Sequence, residues 1–233
     1  IEKDLFFENN YGVSAGACHL CSYLAKQYKR AFRVNVDYLN DKRYCSVHSL
    51  LKTGNLFGAE MLYDIIPNEL DLFDYDTYNK NESNFYVVIT DINTGKPEYV
   101  KIGDLKKDII YVRASSSLPL LAQNVKINDK EYLDGGISDS IPIKKSIADG
   151  NKKNVVILTR DSTYRKGKNS LMPIIKLKYK KYPNFVKSMA DRYIVYNDIL
   201  DFIKELEDNG DVFVIRPKKP VNIGRTEKNR EKL

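Results

Sequence analysis

Histidine and tryptophan are nearly missing from this chain: it has two of the first, His19 and His48, and none of the second. With so few imidazoles, proton transfer has to be sought among carboxylates as well as in a Ser-His-Asp arrangement. Cysteine is scarce too. Three in 233 residues leave an odd thiol and no disulfide framework, which points to a reducing compartment and an expected cytoplasmic location. No basic segment followed by an apolar one opens the sequence. The apolar runs, such as VVIL at 155–158, fall far short of the ~20 residues of a bilayer span, so secretion and membrane insertion are not indicated. Internal repeats, a nucleotide-binding glycine loop and a metal-protease helix are also absent from the sequence.

What is present is an ordinary globular composition, 42% apolar and 30% charged, long enough for one substantial core and read as a single domain over residues 1–233. Charge is uneven. Residues 1–150 hold 18 Lys+Arg and 21 Asp+Glu, net −3, whereas 151–233 hold 20 and 10, net +10. Segments such as YRKGK (164–168) and KLKYKKYPNFVK (176–187) have the charge to meet nucleic acid or an anionic membrane surface. Lysines that are merely solvated are the favoured account of them, and no nucleic-acid partner is expected.

The pattern of apolar residues reads as alternating elements. A helix is expected from Ala15 to about Tyr28, then an irregular stretch from Val34 to Asp76 with short helical pieces stopped at Gly54 and Pro67. FYVVITDINTGKPEYVKI (85–102) reads as a hairpin around NTGKP, and VKINDKEYLDGG (125–136) as strand, turn, strand with Asn128 and Asp129 at the bend. VRASSSLPLL between them reads as a turn or a short helix. Pro142 opens a helix ending near Gly150, NVVILTR (154–160) is a buried strand, two helical stretches run from about Leu171 to Glu207, and VFVIRP (212–217) is the last strand. Near-continuous apolar strands alternating with helices predict a layered α/β fold around a mostly parallel sheet.

GVSAG, residues 12–16, satisfies G-x-S-x-G. A serine on a sharp strand-to-helix turn is held in a strained conformation, and neighbouring backbone must come close to it. Gly12 and Gly16 remove the Cβ atoms that would collide there, and Ala15 and Ala17 keep the turn narrow. The helix that starts behind Ser14 aims its unpaired N–H groups and positive dipole end at the hydroxyl, ready for an oxyanion. A helix N-cap is the other use for a serine in this position.

The base is less obvious. His19 lies five residues into the helix begun at Ser14 and points away from it, and nothing in the sequence places His48 near the elbow. A carboxylate is a weak base for a hydroxyl, so it must be in direct contact and partly desolvated. Asp134 in YLDGGISDSIPI ends an apolar strand and is followed by Gly135 and Gly136, which let the loop press against another backbone; a plain Asp-Gly turn is the alternative use of that dipeptide.

Taken together, GVSAGA and YLDGGISDSIPI resemble the patatin-like phospholipases, serine acyl hydrolases that use a Ser-Asp dyad, and in particular their bacterial cytoplasmic branch. The likeness continues through NVDYLNDKRY, LLKTGNLFG, FYVVITDINTGKP, RASSSLPLL, NVVILTR, LKYKKYP and VFVIRP, and so covers nearly the whole chain. It implies a three-layer α/β sandwich with Ser14 as nucleophile and Asp134 as dyad base. Gly12, Ala15 and Gly16 would support the elbow, and Gly135 and Gly136 the aspartate loop. It also implies cleavage of lipid or small carboxylic esters through an acyl-enzyme, with no cofactor and no metal; peripheral contact with an anionic membrane surface is an expectation from the basic C-terminal third alone. A non-catalytic lipid- or partner-binding domain of the same fold is the alternative.

One departure stands out. The family carries a glycine-rich oxyanion loop shortly before the nucleophile, after its first strand, but this chain has no glycine before Gly12. IEKDLFFENN reads as the end of a helix and a turn, so the expectation is a chain truncated at its N-terminus. Because one lost oxyanion donor costs roughly 10²–10³ in rate, such a fragment is expected to be a poor catalyst.

Two further constellations stand in the sequence. Cys18 and Cys21, with Cys45 and His48, have the pair spacing of a Cys₃His zinc site, but an i, i+3 pair of small apolar thiols on a helix also simply packs, and core thiols are expected. A redox dithiol is disfavoured because Cys18 is not at the helix start. Ser115, Ser116 and Ser117 are expected to cap a turn before Pro119.

Overall fold

The computed structural model of the chain describes residues 5–224 and 226–232. Strand β1 (Asn9–Val13) leads through Ser14 into helix α1 (Ala15–Leu24). Short helices α2 (Arg30–Val36) and α3 (Val47–Thr53) follow; Ser46 caps α3 by accepting from the Ser49 N–H, and Gly54 ends it at φ 73°. A helix with wide, i→i+5 bonding spans Met61–Leu70, then comes α4 (Tyr75–Asn79). Pro67, expected as a stop, lies inside that wide helix, where the looser turn accommodates a residue without an N–H.

The hairpin around NTGKP forms as β2 (Asn84–Asp91) and β3 (Pro97–Ile102). Asp91 shapes its turn by accepting from the Asn93 N–H at 2.7 Å. Helix α5 (Leu105–Ser115) begins at Asp104, whose carboxylate accepts from the Lys106 and Lys107 N–H groups. Next come β4 (Val125–Ile127), β5 (Lys130–Asp134), a 3₁₀ turn at Gly135–Ile137 and α6 (Ile143–Ala148). Strand β6 (Asn154–Ile157), helices α7 (Met172–Lys178) and α8 (Pro183–Asp208), strand β7 (Val212–Ile215) and a 3₁₀ turn at Arg230–Lys232 complete the described chain. In the IEKDLFFENN segment, residues 1–4 lie outside the described residues, 5–8 are not helical, and Asn9 and Asn10 already belong to β1.

The fold is α/β, but the sheet is mixed rather than mostly parallel. β1–β2 and β6–β7 pair parallel, whereas β2–β3, β2–β5 and β4–β5 pair antiparallel. The reason is local: two of the antiparallel pairs are joined by short turns, which permit no crossover. β6 and β7 form a separate two-stranded sheet.

Helices lie against both sheet faces. Phe85, Val87 and Ile89 of β2 and Tyr132 of β5 join a cluster with Ala17, Cys21 and Leu24 of α1 and Leu105, Val112 and Ala114 of α5. The next residue of β5, Leu133, joins a second cluster with Ile175, Tyr179, Phe185 and Met189. Successive strand residues point to opposite faces, so these clusters are the two sides of one sheet. A third cluster ties β6 and β7 to α8 through Val156, Val212, Ile199 and Ile203.

The register along β2 positions everything that matters for the site. β3 pairs with β2 from Phe85 to Thr90 and occupies one edge. Both β1, which ends at Val13 opposite Val88, and β5, which ends at Asp134 opposite Ile89, must therefore share the other edge. β1 runs parallel to β2 and β5 antiparallel, so their C-terminal ends meet head-on across two adjacent residues.

Candidate active site

Ser14 is the first residue beyond β1 and Asp134 the last of β5, and the head-on meeting brings them into contact. Ser14 Oγ donates to Asp134 Oδ2 at 2.7 Å. No imidazole intervenes. The carboxylate is 1% exposed, so the direct contact and the desolvation required of a carboxylate partner are both present. Its other oxygen, Oδ1, accepts from the Gly136 N–H at 2.8 Å, and its backbone N–H donates to the Ser117 carbonyl at 2.9 Å. Thr90 Oγ1 donates to the Asp134 carbonyl at 2.8 Å, so the residue is held from both sides.

Ser14 sits at φ 54°, ψ −128°. A non-glycine residue held there stores about 1–3 kcal/mol of backbone strain, and it persists because the turn on either side is over-determined. A Cβ on Gly12 would lie 2.6 Å from Ala17 Cα, so only glycine lets β1 pass this close to α1. The Ser14 N–H donates to Ser115 Oγ at 2.8 Å, a fully buried hydroxyl at the end of α5.

On the aspartate side, a Cβ on Gly135 would lie 2.0 Å from the Val88 carbonyl oxygen, the point where the loop crosses β2. Gly136 is approached by α8: Arg192 Nε donates to its carbonyl oxygen, and Arg192 Nη2 is 3.1 Å from where its Cβ would stand. Gly16 differs from the others. A Cβ there meets nothing within 4 Å, so its small size is not demanded by the protein and leaves open space before the elbow. Ala15 and Gly16 are exposed, and as the first residues of α1 their N–H groups have no intrahelical acceptor.

His19 and His48 are both exposed and neither touches the pair; His19 Nε2 lies 3.3 Å from Asn35 Nδ2. Burial pushes the Cys18 and Cys21 thiols up, so neither is a thiolate at neutral pH. Cys18 contacts Ser116 Oγ at 3.4 Å and Tyr63 OH at 3.9 Å, while Cys45 packs in a different cluster with Tyr44, Met61 and Ile66. Among the described residues no three His, Cys, Asp or Glu side chains come together to hold a metal ion.

Arg192 and Arg113 carry no signal in the sequence, and Ser115 is legible there only as part of a serine turn. Ser116 and Ser117 do form the expected turn, with their N–H groups on the Arg113 and Ala114 carbonyls, yet Ser115 also reaches across to the elbow. Arg113 lines a small cleft with Tyr63, Ser116 and Ser117, and its buried Nε has no hydrogen-bond partner among the described residues. No sequence signal distinguishes these side chains from ordinary surface or capping residues.

Comparison with known proteins gives the family. The model of a family described as patatin-like phospholipase matches residues 2–146, and one described as a domain of unknown function, DUF6363, matches residues 182–233. The chain is 26% identical over 232 residues to a protein of Escherichia coli (strain K12) described as uncharacterized protein YjjU, covering 93% of this chain and 61% of that protein. It thus spans about three-fifths of the length of that relative. With more than half of its residues matched by the first of these families, including both ends of the Ser14–Asp134 contact, the chain belongs to the patatin-like phospholipases.

Proposed function

We infer that this chain is the catalytic part of a serine acyl hydrolase, of esterase, phospholipase A or lysophospholipase type, that cleaves carboxylic esters of lipids. The observation that carries the reading is the 2.7 Å hydrogen bond from Ser14 Oγ to Asp134 Oδ2, made on a strained elbow at a helix start. Family membership supports a lipid ester as the substrate class.

In the first step Ser14 Oγ attacks the ester carbonyl carbon while its proton passes to Asp134 Oδ2. The carbonyl oxygen becomes an oxyanion facing the free N–H groups of Ala15 and Gly16 and the positive end of α1. Collapse breaks the bond to the alcohol or lysolipid, which leaves with the proton from Asp134. Water then attacks the acyl-enzyme, Asp134 takes its proton, and the acid departs as Ser14 recovers its own.

The test, on the full-length protein, is fatty-acid release from phospholipid together with labelling by a fluorophosphonate. A folded protein that does neither would be left with the alternative, a binding domain of the same fold.

Two further outcomes are expected. Ser115→Ala leaves the Ser14 N–H without its buried acceptor, and kcat should fall about tenfold with KM unchanged, because the hydroxyl positions the nucleophile and touches no substrate. Steady-state kinetics on a soluble ester measure the split; a change in KM alone would remove Ser115 from this role. Replacing His19 and His48 together with alanine should leave kcat within about twofold of the parent, since neither touches the dyad. A large loss in that double variant would restore an imidazole to the mechanism.

A further inference from the structure

Helix α7 has a buried side and an unpartnered one. Ile175 and Tyr179 pack at 1% exposure beside Leu133 and Phe185, whereas Leu171, Ile174 and Leu177 stand 48%, 53% and 74% exposed. At about 100° per residue, Ile174 and Leu177 lie opposite Ile175 and Tyr179 and point straight out of the protein. Lys176, Lys178, Lys180 and Lys181 are exposed around them. From Tyr164 to Lys187 the chain has eight Lys+Arg and no Asp or Glu.

Solvated lysines explain the charge but not the apolar ridge between them. Apolar side chains among ammonium groups match a lipid surface: the former enter the boundary of headgroups and acyl chains, the latter meet phosphates. The position also fits. Met172 of α7 packs in one cluster with Leu120, three residues beyond Ser117, whose carbonyl holds the Asp134 N–H. Leu133, in the same cluster, directly precedes Asp134.

We propose that α7 is a docking surface for a bilayer rich in anionic phospholipid, with Leu171, Ile174 and Leu177 entering it and Lys176, Lys178 and Lys180 facing its phosphates. Docking there holds the protein on the lipid surface through the helix whose inner side packs against Leu133, the residue before Asp134. That the docked bilayer also supplies the ester rests on the hydrolase reading above.

The experiment is cosedimentation of the purified protein with vesicles of mixed phosphatidylglycerol and phosphatidylcholine, and with vesicles of phosphatidylcholine alone. Binding should require the anionic lipid and weaken with salt. Each lysine at the surface is worth about fivefold in partitioning, so the triple variant K176E/K178E/K180E should bind at least ~100-fold more weakly. I174D/L177D should lose binding about tenfold or more. K218E/K219E, a charge reversal at exposed lysines beyond β7, should bind within about twofold of the parent.

Equal binding to both vesicle types, or binding unaffected by I174D/L177D, overturns the proposal. So does self-association that the same variants abolish while vesicles remain unbound, because the ridge would then be covered by a second copy. Turnover of a dissolved short-chain ester by the full-length protein separates this from the hydrolase reading. Vesicle binding through α7 without such turnover keeps the docking surface and removes the enzyme; turnover that all variants retain, with no vesicle binding, does the reverse.

Discussion

Ser14→Ala is expected to abolish fluorophosphonate labelling and to lower ester hydrolysis by about four orders of magnitude or more, since losing a nucleophile removes the chemistry rather than weakening it. The fold should survive, because the hydroxyl makes one side-chain hydrogen bond and the backbone N–H keeps its partner in Ser115. A companion variant separates strain from chemistry. Ser14 holds a positive φ of 54°, a region that costs an L-residue and not glycine. Ser14→Gly should therefore be as inactive as Ser14→Ala but more stable than it by about 1 kcal/mol, read from the denaturation midpoint. Activity that persists in both variants would sink the nucleophile assignment, whereas equal stability would show that the elbow is unstrained.

The strain is only half legible in sequence. Gly12 and Ser14 at the right spacing say that a turn is sharp, and the 2.6 Å approach to Ala17 shows why. What the pattern does not say is where the strand before the turn will pair. The hairpin of β2 and β3, the bend at Asn128, which adopts φ 53°, and the α7–α8 pair are local and follow from turn chemistry and periodicity. The mixed sheet is not local. YVVIT reads as a strand buried on both faces, a feature of parallel sheets, but β2 is buried because helices cover both sides of a sheet whose β3 and β5 run against it. Long-range register likewise hides Ser115, whose sequence context explains it fully as a residue near a helix end. Its use becomes visible only when α5 lies against the elbow.

That antiparallel β5 is also why Asp134 reaches Ser14 directly. Had it run parallel to β2 on the same edge, its N-terminal end would face β1 and its C-terminal end would lie opposite Asp91, two residues further along β2, rather than meeting β1 across Val88 and Ile89. Asp134→Asn tests this arrangement without disturbing it. The amide keeps an oxygen for the Gly136 N–H and nearly the same volume in a site with 1% exposure, so the loop should hold. What is lost is the atom that accepts the Ser14 proton. A fall in kcat of about 10⁴ with KM little changed is expected, alongside far slower fluorophosphonate labelling of an intact Ser14. Because the two side chains work as a unit, the double variant Ser14→Ala/Asp134→Asn should be no worse than Ser14→Ala alone. Hydrolysis by Asp134→Asn within about tenfold of the parent, a loss of under ~1.4 kcal/mol in barrier, would mean that the proton goes elsewhere and that the short contact is only structural.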